Sequence, residues 1–67
     1  MLVSEIGGII KKRRKELGIT QPHLADIAEV SLNTLYKIER GQTNPSLNVL
    51  QKIAIVLGME IQLIIKK

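Results

Sequence analysis

Residues 20–41 read TQPHLADIAEVSLNTLYKIERG, and this stretch decides the fold. Thr20 stands where a helix N-cap is expected, and Gln21 and Pro22 follow in a first turn, where a missing N–H costs little. Leu24, Ala25 and Ala28 recur at helical spacing and give that helix one apolar side. Ser31 is a second N-cap a few residues later. Leu35 and Ile38, at i and i+3, form the buried side of the next helix, and Gly41 is its stop. The spacing therefore predicts two short helices, about 21–28 and 32–40, joined by a tight turn. Leu32, Asn33, Thr34, Tyr36, Lys37 and Arg40 remain on the outer face of the second. That set of donors, acceptors and one methyl-bearing side chain suits base edges and phosphates in a DNA major groove.

Working outward, an upstream helix is expected from about Ser4 to Leu17, with Ser4 as N-cap and Gly18 as C-cap. Ile6, Ile10, Arg14 and Leu17 share one face of it. Gly7 and Gly8 weaken its first turns by roughly 1 kcal/mol each relative to Ala. They read as a frayed start, with close approach of another backbone as the alternative. Gln42-Thr43-Asn44-Pro45 is a loop. Ser46 caps a further helix whose inner face is Leu47, Leu50, Ile53, Ala54 and Leu57, and Gly58 ends it. Arg14 lies on an apolar face and needs a partner, because an unpaired buried charge is costly. Glu39, beside Ile38 on the inward side of its helix, is the natural choice.

The segments together resemble the lambda-repressor/Cro-type (Xre-like) helix-turn-helix domains of bacterial and phage regulators. The matching pieces are Thr20-Gln21-x-x-Leu24-Ala25, Val30-Ser31, Ile38-Glu39-Arg40-Gly41 and Asn44-Pro45-Ser46, with Leu50, Ile53, Ala54, Leu57 and Gly58 beyond and Arg13 to Thr20 upstream. The resemblance runs from about residue 6 to residue 58. It departs from the family at Glu29, where a turn glycine is usual; a positive φ there is strained for Glu. The resemblance implies an all-α domain of four to five helices. It also implies site residues. Gln21 would touch a phosphate and buttress the reading helix. Leu32, Asn33, Thr34 and Lys37 would face the groove. Arg40, Thr43 and Asn44 would hold the DNA backbone. Asn33 suits adenine N6/N7, Leu32 a thymine methyl, and Lys37 guanine O6/N7 or a phosphate. Ser31 is first a cap whose hydroxyl or amide also meets phosphate. Tyr36 either hydrogen-bonds DNA or packs flat on a neighbouring helix. The family also ties its first helix to its third by an ion pair, which supports Arg14–Glu39 as a structural salt bridge.

Composition sets the remaining bounds. Sixty-seven residues make one domain. Such a chain buries only about 60% of its unfolded surface. It has no Cys, Phe or Trp, one Tyr and one His, so neither disulfides nor a zinc site are expected and the core must come from Leu, Ile, Val and Ala. Net charge is +4, and seven of the ten cationic residues lie between 11 and 40: Lys11, Lys12, Arg13, Arg14, Lys15, Lys37 and Arg40. That concentration agrees with a phosphate-binding face. No catalytic His–carboxylate–nucleophile set and no glycine-rich phosphate loop is present, so no enzyme, cofactor or metal is expected. Nor is there a secretory signal or an apolar run long enough to span a bilayer, and a cytoplasmic location is expected.

In the tail, Met59, Ile61, Leu63 and Ile65 alternate with Glu60, Gln62, Ile64 and Lys66. Period two and β-branched enrichment predict a β-strand. Nothing else in the chain pairs convincingly with it, so antiparallel pairing across a two-fold dimer is the expected solution, with Ile61, Leu63 and Ile65 as dimerisation residues. A helix extension or a disordered end is the alternative, and Val49 and Val56 offer another dimer surface. The expected division is a DNA-binding domain over 1–58 and a dimerisation strand over 59–67. The reading as a whole is a homodimeric, sequence-specific repressor of a pseudo-palindromic operator on double-stranded DNA. C-terminal strands also occur in a subset of the family that includes toxin–antitoxin antitoxins. The alternative function is therefore binding a cognate toxin protein, with DNA autoregulation secondary.

Overall fold

The computed structural model describes residues 3–65. Four helices carry the chain: α1 Val3–Glu16, α2 Gln21–Ala28, α3 Leu32–Glu39 and α4 Leu47–Val56. Their starts follow from hydroxyl caps that satisfy otherwise unpaired N–H groups of the first turn. Thr20 Oγ1 accepts from the His23 N–H at 3.2 Å, Ser31 Oγ from Thr34 N–H at 3.0 Å and Ser46 Oγ from Val49 N–H at 3.1 Å. Ser4 does not cap α1, because the helix already runs from Val3.

The inward faces meet in one core of Ile10, Leu24, Ala25, Ala28, Leu35, Ile38, Ile53 and Leu57. Helix α2 packs on both α3 and α4, and α1 packs on α3. Two residues expected inside are outside. Leu17 is exposed because α1 ends at Glu16 and the chain leaves the helical register there. Leu47 is exposed because it opens the first turn of α4, and the core begins one turn later at Leu50 and Ile53.

The α2–α3 turn is a left-handed cap. Glu29 adopts φ 57° and ψ 42°. Its N–H donates to Asp26 O at 3.2 Å, and the Val30 N–H donates to Ala25 O at 3.0 Å. This pair of bonds is the Schellman closure, which usually uses glycine at this position. The left-handed backbone costs a residue with a Cβ on the order of 1–2 kcal/mol. The turn is kept because Leu24, Ala25, Ala28 and Leu35 on either side of it are buried together.

Gly7 overturns the reading of a frayed start. It is buried in α1, and a Cβ there would overlap the Ile38 carbonyl oxygen and sit 2.9 Å from that of Glu39. The glycine lets the backbone of α1 lie directly against the C-terminal end of α3. Gly8 has nothing within 4 Å of such a Cβ. Opposite signs are therefore expected from two adjacent substitutions. Gly8→Ala should stabilise by about 0.5–1 kcal/mol through helix propensity. Gly7→Ala should destabilise by about 1–3 kcal/mol, because the overlap is with backbone and the helices must separate. Urea denaturation of both variants checks this; equal stabilisation by both would mean that α1 and α3 are not in backbone contact.

The expected strand is absent among the described residues. The tail from Met59 to Ile65 has no regular secondary structure. The Met59 N–H still donates to Ala54 O, but residues 60–65 make no backbone–backbone hydrogen bond among the described residues. A strand exists by virtue of its ladder, and the described residues offer this segment no neighbour. Ile61, Leu63 and Ile65, expected on a buried face, are exposed in the single chain. Lys66 and Lys67, also assigned to the strand, lie outside the described residues.

Candidate nucleic-acid interface

Helix α3 turns Leu35, Ile38 and Glu39 inward and leaves Leu32, Asn33, Tyr36, Lys37 and Arg40 exposed. The spacing-based division of this helix into a buried side and an outer face therefore holds in the fold. Thr34 is different. It is half-buried, and its Oγ1 accepts from Ser31 Oγ at 2.6 Å. The two hydroxyls are engaged with each other at the cap, so Thr34 belongs to the start of the helix as much as to its outer face. Tyr36 does not lie flat on another helix. It is exposed, with the Arg40 guanidinium carbon 5.2 Å from its ring centroid, a cation–π distance. Thr43 is half-buried and Asn44 exposed in the loop after α3.

The orientation of α3 is set from beneath by one buried network. Arg14 Nε donates to Glu39 Oε2 at 2.8 Å and Arg14 Nη2 to Glu39 Oε1 at 3.0 Å. This is the two-pronged arginine–carboxylate geometry. Arg14 Nη1 donates to Ile19 O at 2.9 Å, and Gln21 Nε2 donates to Glu39 Oε1 at 3.0 Å. The network joins α1, the α1–α2 turn, the first residue of α2 and the last residue of α3. Gln21 thus ties the start of α2 to the end of α3, the buttressing contact that the family resemblance implied. The Glu39 side chain is 1% exposed. Hydrogen bonding to Glu39 makes Arg14 harder to deprotonate than an ordinary arginine, and this outweighs the opposite effect of burial. A raised folded-state pKa stabilises fully below the ordinary arginine range and is lost only above it. Arg14 is therefore no switch near neutrality.

The basic cluster on α1 divides in two. Lys11, Lys12 and Lys15 are exposed, and together with Lys37 and Arg40 they are available to an anionic partner. Arg13 is committed elsewhere: its Nε donates to Leu57 O at 3.0 Å, closing the C-terminal end of α4, and its Nη1 lies 3.6 Å from Glu16 Oε1. Of the seven cations between 11 and 40, Arg13 and Arg14 are thus structural. The role of Arg13 left no mark in the sequence, since its acceptor is a backbone carbonyl 44 residues away.

In the sequence Pro22 shows only as a first-turn residue. In the fold it joins Gln21, Leu32, Asn33 and Tyr36 around an open concavity between the starts of α2 and α3. A larger apolar groove lies between α1, α4 and the tail, with Ile6, Ile9, Ile10, Leu50 and Leu57 on the helix side and Met59 and Ile61 on the tail side. No helix among the described residues is long and apolar enough to cross a membrane.

Known proteins resemble this chain in sequence and, for a solved structure, in fold. An HTH-type transcriptional regulator of Methanothermobacter thermautotrophicus is 42% identical over 52 residues, which are 78% of this chain and 75% of that protein. The immunity repressor protein of Bacillus phage phi105 is 42% identical over 60 residues, 90% of this chain and 42% of the repressor, so the chain spans less than half of that relative. The crystal structure of the restriction-modification controller protein C.AhdI from Aeromonas hydrophila superposes with a TM-score of 0.83 at 29% identity, covering 87% of this chain and 88% of the controller. The sequence of residues 10–64 matches the helix-turn-helix family. With its capped α2 and α3, the left-handed turn between them and the brace beneath, the chain belongs to that family.

Proposed function

We propose that the protein is a DNA-binding transcriptional regulator that represses by occupying a pseudo-palindromic operator as a homodimer. The observation that carries this is the exposed polar face of α3, held by a buried brace, in a chain whose α1 also exposes Lys11, Lys12 and Lys15. A helix presented in this way is what a major groove accepts, and the relatives named as regulator, repressor and controller share its framework. In this reading Asn33 and Lys37 read base edges and Leu32 adds an apolar contact. Gln21, Ser31, Thr34, Tyr36, Arg40, Thr43 and Asn44 fix the frame on phosphates. Half-sites lie one helical turn, about 34 Å, or a multiple of it apart.

The homodimer rests on the apolar surface left open at one side of the domain. Ile9, Met59 and Ile61 line it, Ile55 and Leu63 to Ile65 are also exposed, and the tail backbone from residue 60 is unpaired within the described residues. A second copy presenting the same tail supplies both a ladder and an apolar cover, which makes the contact isologous. The relatives' names favour regulation over toxin binding.

Selection of bound duplexes from a random pool, followed by substitution, tests the reading. Asn33→Ala should lose discrimination at one or two base pairs, about 1–3 kcal/mol for a bidentate contact. Arg40→Ala should weaken selected and random DNA alike and lower the magnitude of the log–log salt slope by about 0.9. Failure to enrich any sequence would remove the operator reading, and an unchanged sequence preference in Asn33→Ala would remove Asn33 as a reader.

A further inference from the structure

The concavity between α2 and α3 is apolar where the rest of the reading face is polar. Leu32 is 47% exposed and Tyr36 43% exposed, and with Pro22 they converge on the same opening. Gln21 and Asn33 carry the amides at its edge. Each wall is held in place. Pro22 is ring-locked at the start of α2, and Leu32 opens a helix capped by Ser31. The Tyr36 ring is engaged by Arg40, and Gln21 is tied back to Glu39.

Given the DNA-binding reading above, on which this inference rests, the residues that open a recognition helix are those that meet base edges. The major-groove edges present hydrogen-bond donors, hydrogen-bond acceptors and one apolar group, the methyl on C5 of thymine. An exposed leucine between a proline and a tyrosine has no other match there. We propose that this concavity receives the 5-methyl group of a pyrimidine. Cytosine methylated at C5 carries the same group at the same place on the ring. The site therefore favours thymine or 5-methylcytosine over unmethylated cytosine, and binding responds to the methylation state of the operator.

The probe is a duplex enriched from the random pool, with each thymine replaced in turn by uracil. Uracil keeps every hydrogen-bonding group and lacks only the methyl. At one position per half-site this should weaken binding about fourfold, the value of one buried carbon. At the same position a duplex carrying 5-methylcytosine should bind about fourfold tighter than one carrying cytosine. Leu32→Ala should bring both ratios close to one, whereas Leu32→Met, which keeps an apolar side chain, should retain them. Leu32 is outside the core, so circular dichroism of both variants should match that of the unaltered protein. A thymine effect without a 5-methylcytosine effect would support the pocket for thymine and overturn the methylation response. A flat uracil scan on an enriched sequence, or a methyl effect undiminished in Leu32→Ala, would overturn the site while leaving the DNA-binding reading intact. Failure to enrich any sequence would overturn both.

Discussion

Replacing Arg14 by Met, or Glu39 by Leu, is expected to destabilise the protein by about 3–5 kcal/mol, because each change leaves the other charge buried without its partner. The geometry makes the loss severe. The Glu39 carboxylate accepts three hydrogen bonds, from Arg14 Nε, Arg14 Nη2 and Gln21 Nε2, and its side chain is 1% exposed. After Arg14→Met the carboxylate keeps Gln21 alone. After Glu39→Leu the guanidinium keeps the Ile19 carbonyl, which carries no net charge. In a domain of this size each kcal/mol corresponds to about 4–8 °C in Tm, so single variants should melt well over 10 °C lower. The double replacement removes both charges and should recover most of the loss. Thermal unfolding of the two single variants and the double variant forms a double-mutant cycle. Small additive losses would show that the pair does not act as a unit. DNA binding adds a second readout, since the brace reaches the last residue of α3: the double variant should be stable yet bind its operator less tightly, because α3 is no longer held at a set angle to α1.

Deleting residues 60–67 is expected to lower operator affinity by about 10²–10⁴, the range set by effective concentration when two linked half-site contacts become separate. The deletion takes away the exposed apolar residues Ile61, Leu63, Ile64 and Ile65 and one wall of the groove along α1 and α4. It leaves the core, the brace and α3 in place, since none of the core residues lies beyond Leu57. The truncated protein should sediment as a monomer and keep weak binding to a single half-site. Sedimentation and operator titration at matched concentrations decide this. A truncated protein that stays dimeric with full affinity would place the dimer elsewhere. The candidates Val49 and Val56 are half-buried and packed against the core, with limited surface left to offer.

The four helices, three of their caps and the brace were legible in the residues alone, while Ser4 was misplaced as a cap. Capping and 3.6-residue periodicity act over three or four residues, so Thr20, Ser31 and Ser46 mark helix starts whatever the rest of the chain does. A charge such as Arg14 on an apolar stripe demands a partner, and Glu39 was the one carboxylate on a facing inward surface. The outer face of α3 was legible for the same reason: what is not needed for packing remains for solvent or DNA. Other features depended on how the helices approach one another. Gly7 looked like a weak point because its helix propensity is local, while the Ile38 and Glu39 backbone that requires a glycine arrives from more than thirty positions away. Arg13 looked like a neighbour of Lys12 until the C-terminal end of α4 came within reach. Pro22 and Leu32 are ten positions apart in the sequence and share an opening because the left-handed turn at Glu29 folds α3 back beside α2. The tail shows the converse. Its alternation of apolar and polar residues is a strand pattern, but a strand needs a neighbour to bond to, and the described residues offer it none. Sequence determined where the four helices lie and most of their inward residues, though not Leu17 and Leu47. Tertiary structure decided which glycine, which arginine and which proline do the joining, because those choices are set by distances between segments and leave no local trace.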